Sequence, residues 1–156
     1  MEQEDVERHS ARGMYHFAED FYKAAAQLVA SHNAGDLSLR FQNNVSYHLY
    51  MHSMELTLKA FLNATGTSNN DLRRQYGHNI AALLSAAIAA GMALGEHEAH
   101  TQTVVDWLNK YGKAQAFRYF EQGYYKLPSE ADVAIANERL LAAAKIECLK
   151  AIRKDT

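Results

Sequence analysis

The chain contains a single proline and a single cysteine among its 156 residues, and it lacks a long apolar run. Because proline interrupts helices, its scarcity allows helix through most of the chain. Cys148 has no second cysteine with which to form an intramolecular disulfide, which favours a reducing, cytoplasmic location. The longest apolar stretch, IAALLSAAIAAGMALG from Ile80, is shorter than the roughly 20 residues of a membrane-spanning helix. We therefore expect no membrane partner.

The chain also lacks a large excess of charge of either sign. Its 16 basic and 18 acidic residues leave a formal net charge of -2. Nucleic acid would therefore be attracted by a local basic patch and not by the whole surface. The sequence has no cysteine cluster, no GxSxG elbow and no glycine-rich phosphate loop, which argues against zinc-ribbon, serine-hydrolase and P-loop classes. Cys148 falls on the apolar face of the last predicted helix, where a thiol stays protonated. The sequence predicts no cofactor.

Apolar residues recur at helical spacing along most of the chain, and no segment shows the alternation of a strand. Gly35 suits the left-handed backbone that ends a helix, and Asp36 or Ser38 suits the cap of the next one. The sequence therefore predicts an all-α fold, an antiparallel bundle of four to five helices. We expect one domain at 11–154 after a flexible segment at 1–10. The predicted elements are helices at about 11–32 and 40–64, a short turn or single helical turn at 71–77, a helix from 80 to about 92, a helix capped by Thr101 or Thr103 and stopped by Gly112, and a last helix at about 130–153.

The second predicted helix is apolar over most of its circumference and carries one narrow polar stripe. A helix of this kind is usually central and buried, so the stripe is expected to face a groove, a partner subunit or other buried polar groups. The stripe consists of Asn44, His48, His52, Glu55 and Lys59.

Two interpretations of this stripe compete. His48 and His52 are spaced i, i+4 with Glu55 one turn further on, which can place three metal ligands on one helical face. The alternative is a hydrogen-bonded seam in which Glu55 pairs with Lys59 or with a basic residue of another helix. We favour the seam and predict no metal. His97 and His100 lie in an acidic segment between two predicted helices, and we expect them to be solvated.

A second candidate site lies in the loop before the third long helix. The arginine of the pair Arg73 and His78 can hold a phosphate in bidentate fashion, and the histidine can transfer a proton to or from a ribose hydroxyl. Arg74 and Asn79 are further ligand-binding candidates beside this pair. In the alternative interpretation the two arginines are solvated loop charges, and His78 caps a helix or packs beneath the loop.

Basic and aromatic residues alternate in the irregular segment from 112 to 129. Arg118 and Tyr119 are its candidates for stacking on a base or binding a phosphate. The alternative is that its rings fold back over the end of the bundle.

Several motifs occur in an order that resembles HEPN domains, the higher eukaryotes and prokaryotes nucleotide-binding family. The resemblance covers the chain from about Met14 to Ile152. The motifs are the alanine- and tyrosine-rich YHFAEDFYKAAAQLVA, the second-helix pattern E-L-x-L-K-A-x-L at Glu55 to Leu62, GHNIAALL from Gly77, the element Phe117-Arg118-Tyr119, and the last-helix segment SEADVAIANERLLAAA.

The resemblance implies an all-helical bundle, frequent homodimerisation, and either RNA cleavage or a binding role beside a nucleotidyltransferase-type partner in toxin–antitoxin or defence systems. HEPN ribonucleases carry an arginine followed a few residues later by a histidine, nearer the C-terminus than Arg73 and His78 lie. Three functions are therefore expected to compete. They are a module that binds a nucleotide, RNA or a partner protein, a metal-independent ribonuclease using Arg73 and His78, and a structural dimeric adaptor.

Overall fold

The structure is a computed structural model and describes residues 9–113 and 127–150. These ranges contain six α-helices and no β-strand, so the predicted all-α helical bundle is confirmed. A 3₁₀ turn at Gly95–His97 precedes the fifth helix. The helices are α1 (Ala11–Asn33), α2 (Gln42–Ala64), α3 (Asn69–Tyr76), α4 (Ile80–Ala89), α5 (Glu98–Lys113) and α6 (Glu130–Lys150).

Helix α2 is the central element of the bundle, as its apolar circumference predicted. It packs against α1, α6, α4 and α3, whereas α5 packs against α4 and α6. Buried residues occur on every turn of α2, because neighbours cover it on several sides. The buried apolar residues of α2 are Tyr47, Tyr50, Met51, Met54, Leu58, Ala60, Phe61 and Leu62.

Polar groups at the centre of the bundle are joined by hydrogen bonds between three helices. The Ser53 hydroxyl of α2 donates to the Ala18 carbonyl of α1 at 2.7 Å. Asn137 of α6 donates through Nδ2 to the same hydroxyl oxygen at 3.0 Å. All three residues are fully buried, so these bonds fix how α1, α2 and α6 are aligned.

The helical periodicity of the last predicted helix places Val133, Ala136, Leu140, Ala144 and Cys148 on one apolar face, and α6 buries all five. The apolar series of α1 is not buried throughout. Phe17 fits the apolar spacing of α1 but is 55% exposed. It packs on Phe21 of its own helix, with ring centroids 4.9 Å apart in an edge-to-face arrangement.

The connection between α1 and α2 confirms one predicted cap and corrects another. Gly35 adopts the expected left-handed backbone, with φ of +80°. Asp36 does not cap α2, because its amide bonds back to the Ser31 carbonyl at 3.0 Å and closes the end of α1. Phe41 occupies the N-cap position of α2, so this helix begins two residues later than predicted.

Residues 71–76 belong to a two-turn helix, Asn69–Tyr76, and not to an isolated turn. The Ser68 hydroxyl accepts the Asp71 amide at 3.2 Å and starts α3 at Asn69. Gly77 ends α3 with a positive φ of +53°. Asn79 then caps α4, since its Oδ1 accepts the Ala82 amide at 3.0 Å. The asparagine cap that the sequence indicated is therefore confirmed.

Helix α5 starts earlier than the threonine caps predicted. The 3₁₀ turn runs directly into Glu98, and Thr101 donates its hydroxyl to the His97 carbonyl at 2.8 Å instead of capping the helix. Gly112 does not stop α5, which continues to Lys113. The prediction failed because the 3₁₀ turn supplies the first carbonyl acceptors, so no side-chain cap is needed at Thr101.

Three predicted features lie wholly or partly outside the described residues. They are most of the flexible segment at 1–10, most of the basic and aromatic segment at 112–129, and the end of the last helix beyond 150. Within the described ranges, no helix combines the length and the apolar character needed to cross a bilayer.

Candidate functional site

Glu55 lies on the fourth turn of α2 and is only 8% exposed. Burying a carboxylate is costly unless hydrogen-bond donors surround it. Its Oε1 accepts a hydrogen bond from Lys59 Nζ at 2.8 Å, one helical turn along α2. The hydrogen-bonded seam that the sequence favoured is therefore present, and Lys59 holds the carboxylate in place.

The same carboxylate oxygen is also bound by a residue from outside α2. His78 Nδ1 lies 2.8 Å from Glu55 Oε1, although the two residues are 23 positions apart in the chain. The junction between α3 and α4 places the ring there, because Gly77 ends α3 and Asn79 caps α4 immediately afterwards. We call Glu55, Lys59, His78 and the nearby His52 the Glu55 cluster.

The contact with Glu55 determines what the His78 ring can do. An ionised carboxylate only accepts hydrogen bonds, so His78 donates to it through Nδ1–H. In the neutral ring Nε2 then carries the lone pair. The His78 side chain is 54% exposed, whereas that of Lys59 is only 17% exposed. The cluster therefore joins a buried, fixed carboxylate to a histidine that solvent and ligands can reach.

His52 belongs to the Glu55 cluster, and His48 stacks on it one turn earlier along α2. His52 Nδ1 lies 3.9 Å from Glu55 Oε2, and the two imidazole rings stack with their centroids 6.3 Å apart. Phe21 of α1 packs edge-on against His52 at 4.5 Å. Within residues 9–113 and 127–150, no group of three or more His, Cys, Asp or Glu side chains is arranged to hold a metal ion.

The two arginines of α3 make contacts within their own helix. Arg73 donates through Nη2 to Asn70 Oδ1 at 3.3 Å. Arg74 pairs with Asp71 at 2.6 Å while its side chain remains 78% exposed. Both pairs are spaced i, i+3 on the surface, where such contacts add little stability. The structure therefore brings His78 to Glu55 and leaves both guanidinium groups on the solvent side of α3.

Arg118 and Tyr119, the two remaining binding candidates, lie outside the described residues. Asn44, at the start of the polar stripe, lies near the first turn of α2 and away from the Glu55 cluster.

His100 is more structured than the sequence analysis expected. It lies inside α5, where its Nε2 donates to Asp132 Oδ1 of α6 at 3.2 Å and its Nδ1 accepts from Arg139 Nη1 at 3.1 Å. Hydrogen bonds from Ser129 and from His100 hold the pKa of Asp132 below its usual range. No local sequence pattern indicates this bridge, because its partners lie on another helix.

Comparison with other proteins does not assign a function to the chain. No protein-family model matches the chain, and no curated protein or solved structure matches it either. Function is therefore inferred from the residues of this chain and their geometry.

Proposed function

We propose that the chain is a HEPN-like helical module that binds RNA or a nucleotide at the Glu55 cluster and the adjoining surface of α3. The observation that carries the proposal is the 2.8 Å contact between His78 Nδ1 and Glu55 Oε1. It joins the two most HEPN-like motifs of the sequence, the second-helix pattern and the histidine that opens the next helix, at one place on the surface.

The chemistry of this surface suits a phosphate-bearing ligand. His78 offers Nε2 to solvent, and Arg73 and Arg74 carry exposed guanidinium groups a few residues before it. Guanidinium groups bind phosphate oxygens in bidentate fashion and also stack on bases. The net charge of -2 means that such local groups, and not the whole protein, must attract the ligand.

Fluorescence anisotropy with a labelled RNA hairpin, and separately with a labelled adenine nucleotide, tests this proposal at several salt concentrations. We expect saturable binding by the wild type that weakens with salt. A plot of the logarithm of the RNA-binding constant against the logarithm of salt concentration has a negative slope, to which each single-strand phosphate contact contributes about 0.7. The double variant Arg73→Gln/Arg74→Gln removes two such contacts, so its slope should be shallower by about 1.4. The control Lys110→Gln/Lys145→Gln removes the same charge from exposed positions of α5 and α6. Equal slopes for the two double variants would contradict the proposal.

A metal-independent ribonuclease is the second candidate, and one observation favours it. Glu55 fixes the proton of His78 on Nδ1, which leaves the exposed Nε2 free of a proton in the neutral ring. Nε2 can then accept the proton of a ribose 2′-hydroxyl as the 2′ oxygen attacks phosphorus. The bond from phosphorus to the 5′ oxygen breaks, solvent protonates that oxygen, and the products are a 2′,3′-cyclic phosphate and a 5′-hydroxyl end. Arg73 orients the phosphate in this mechanism.

RNA cleavage in EDTA distinguishes the two candidates. An enzyme should lose activity by about 10²-fold or more in His78→Ala, because general acid–base catalysis contributes that much. Glu55→Gln should alter the pH dependence of kcat more than KM, since Glu55 positions His78 and does not touch the substrate. Equal cleavage by the wild type and His78→Ala, or none by either, would leave only the binding function.

The proposal includes a cytoplasmic homodimer and, as the family resemblance implies, a nucleotidyltransferase-type partner in a toxin–antitoxin or defence system. Phe17 of α1 and Ile146 of α6 are large apolar side chains exposed on the described surface, which a dimer would cover. Sedimentation equilibrium should give twice the chain mass, and a concentration-independent mass of 17.5 kDa would contradict the dimer.

A further inference from the structure

A pocket of about 260 Å³ opens where the chain passes from α1 into α2. It is separate from the Glu55 cluster, because Gln42 and Glu55 are thirteen residues apart on one helix and a helix rises 1.5 Å per residue, about 20 Å in all. The lining residues are His32, Leu39, Arg40, Phe41, Gln42, Asn43 and Asn44.

His32, near the end of α1, is partly buried and contributes a polar atom to the pocket. Its Nδ1 is buried, and it has no hydrogen-bond partner among the described residues. Buried polar atoms are almost always paired with protein, water or a bound group. Since the ring lines the pocket, a molecule held there can supply the missing partner.

The first turn of α2 also lines the pocket, through Gln42, Asn43 and Asn44. The first backbone bond of this helix runs from the Val45 amide to the Phe41 carbonyl at 3.2 Å, so the three preceding amides have no acceptor within the helix. Phe41, at the N-cap position, gives no side-chain cap hydrogen bond. Amides of this kind, at the positive end of the helix dipole, bind anions.

The charges around the pocket also favour an anion. Arg40 is exposed and is the one formally charged side chain in the lining. The carboxylate of Glu130 contacts the lining residue Gln42, whose Nε2 donates to each of its oxygens at 3.2 Å. Asp36 belongs to the same connection but does not line the pocket.

We propose that this pocket binds a phosphate group carried by a small ligand. The Arg40 guanidinium and the amides of residues 42–44 would bind the phosphate oxygens, and His32 would donate through Nδ1 when that nitrogen carries a proton. This site is independent of RNA binding at the Glu55 cluster, so the failure of either proposal leaves the other standing.

Nuclear magnetic resonance of ¹⁵N-labelled protein tests the site with inorganic phosphate as the probe and chloride keeping the ionic strength constant. We expect saturable shifts in the amides of Gln42, Asn43 and Asn44 and in the His32 ring nitrogens. A second titration uses 5′-AMP, a phosphate monoester. It should shift the same resonances and, in addition, the amide resonances of residues around Leu39. Shifts that do not saturate, or that spread over the whole surface, would overturn the proposal.

A pair of variants makes the test specific. Arg40→Gln should weaken phosphate binding about tenfold, because it removes a charge-assisted hydrogen bond. Lys145→Gln loses the same charge from an exposed position of α6 and should bind as the wild type does. Both substitutions are on the surface, and unchanged spectra elsewhere verify the fold. Equal affinity of Arg40→Gln and Lys145→Gln would refute the assignment.

Discussion

Asn137 of α6 donates a hydrogen bond to the Ser53 hydroxyl of α2 in the fully buried centre of the bundle, over 3.0 Å. The same hydroxyl donates a hydrogen bond to the Ala18 carbonyl of α1. One hydroxyl group therefore satisfies polar atoms on two other helices, which makes it a sensitive point for stability.

Ser53→Ala is expected to destabilise the fold by about 1–3 kcal/mol, because it leaves Asn137 Nδ2 without its acceptor and removes the bond that ties the Ala18 carbonyl to α2. Urea denaturation followed by circular dichroism should give a lower midpoint with an unchanged m-value. Ser85→Ala, at an exposed position of α4, is the matched control and should stay within about 0.5 kcal/mol of the wild type. Equal midpoints for the two variants would show that the buried hydroxyl is dispensable.

Glu55→Gln should change the state of His78 without unfolding the protein. The amide keeps the shape of the carboxylate but offers a weaker, uncharged acceptor to Nδ1–H and to Lys59 Nζ. Long-range ¹H–¹⁵N spectra at neutral pH should show the Nδ1–H tautomer of His78 in the wild type and a mixture of tautomers in the variant. Glu96→Gln, at an exposed position, is the control and should leave the His78 signals in place. A wild-type ring protonated on Nε2 alone would contradict the contact.

The bridge between α5 and α6 should contribute stability that acid removes. Hydrogen bonds from Ser129 and from His100 lower the pKa of Asp132 from its ordinary value of 3.8, so the folded state favours the ionised carboxylate. This contribution is fully present above about pH 3.8 and is lost as the pH falls through the lowered pKa.

Thermal unfolding of Asp132→Asn across the acid range measures this effect. The variant should melt below the wild type at pH 6 and approach it as the pH falls below 3.8. Asp106→Asn, on the exposed side of α5, removes a carboxylate outside the bridge and serves as the control. If the Tm difference between the wild type and Asp132→Asn stayed constant down to the lowest pH measured, ionisation of Asp132 would not contribute to stability.

The thiol of Cys148 should be unreactive in the folded protein. Burial raises its pKa from 9.0 to about 12, which makes its thiolate fraction about a thousandfold smaller at neutral pH. Ellman's reagent at pH 8 should label the wild type only as fast as the protein opens. Thr103→Cys in a Cys148→Ser background places a thiol at an exposed position of α5 and should react at once. Comparable labelling rates would contradict the burial of Cys148.

Much of the bundle follows from periodicity within single helices. The polar stripe of α2 and the buried positions of α6 were predictable because each side chain's direction repeats every 3.6 residues. The pairing of Glu55 with Lys59 was predictable for the same reason, as both residues lie on α2 one turn apart.

Contacts between elements were harder to predict, because the rotation of one helix against another depends on connections with no periodic signal. The approach of His78 to Glu55 depends on the positive φ of Gly77 and on the cap at Asn79. His100 was assigned to a loop because the 3₁₀ turn at Gly95–His97, which leads the chain into α5, leaves no cap signature in the sequence.

The central position of α2 has a consequence for synthesis on the ribosome. When α1 and α2 have emerged, the side of α2 that α6 will cover is still bare, and the buried hydroxyl of Ser53 still lacks its partner on α6. The apolar surface of α1 and α2 that α6 covers in the folded protein therefore stays exposed to water until residues 130–150 have been translated. This interval is when the protein would depend most on a chaperone that binds exposed apolar surface.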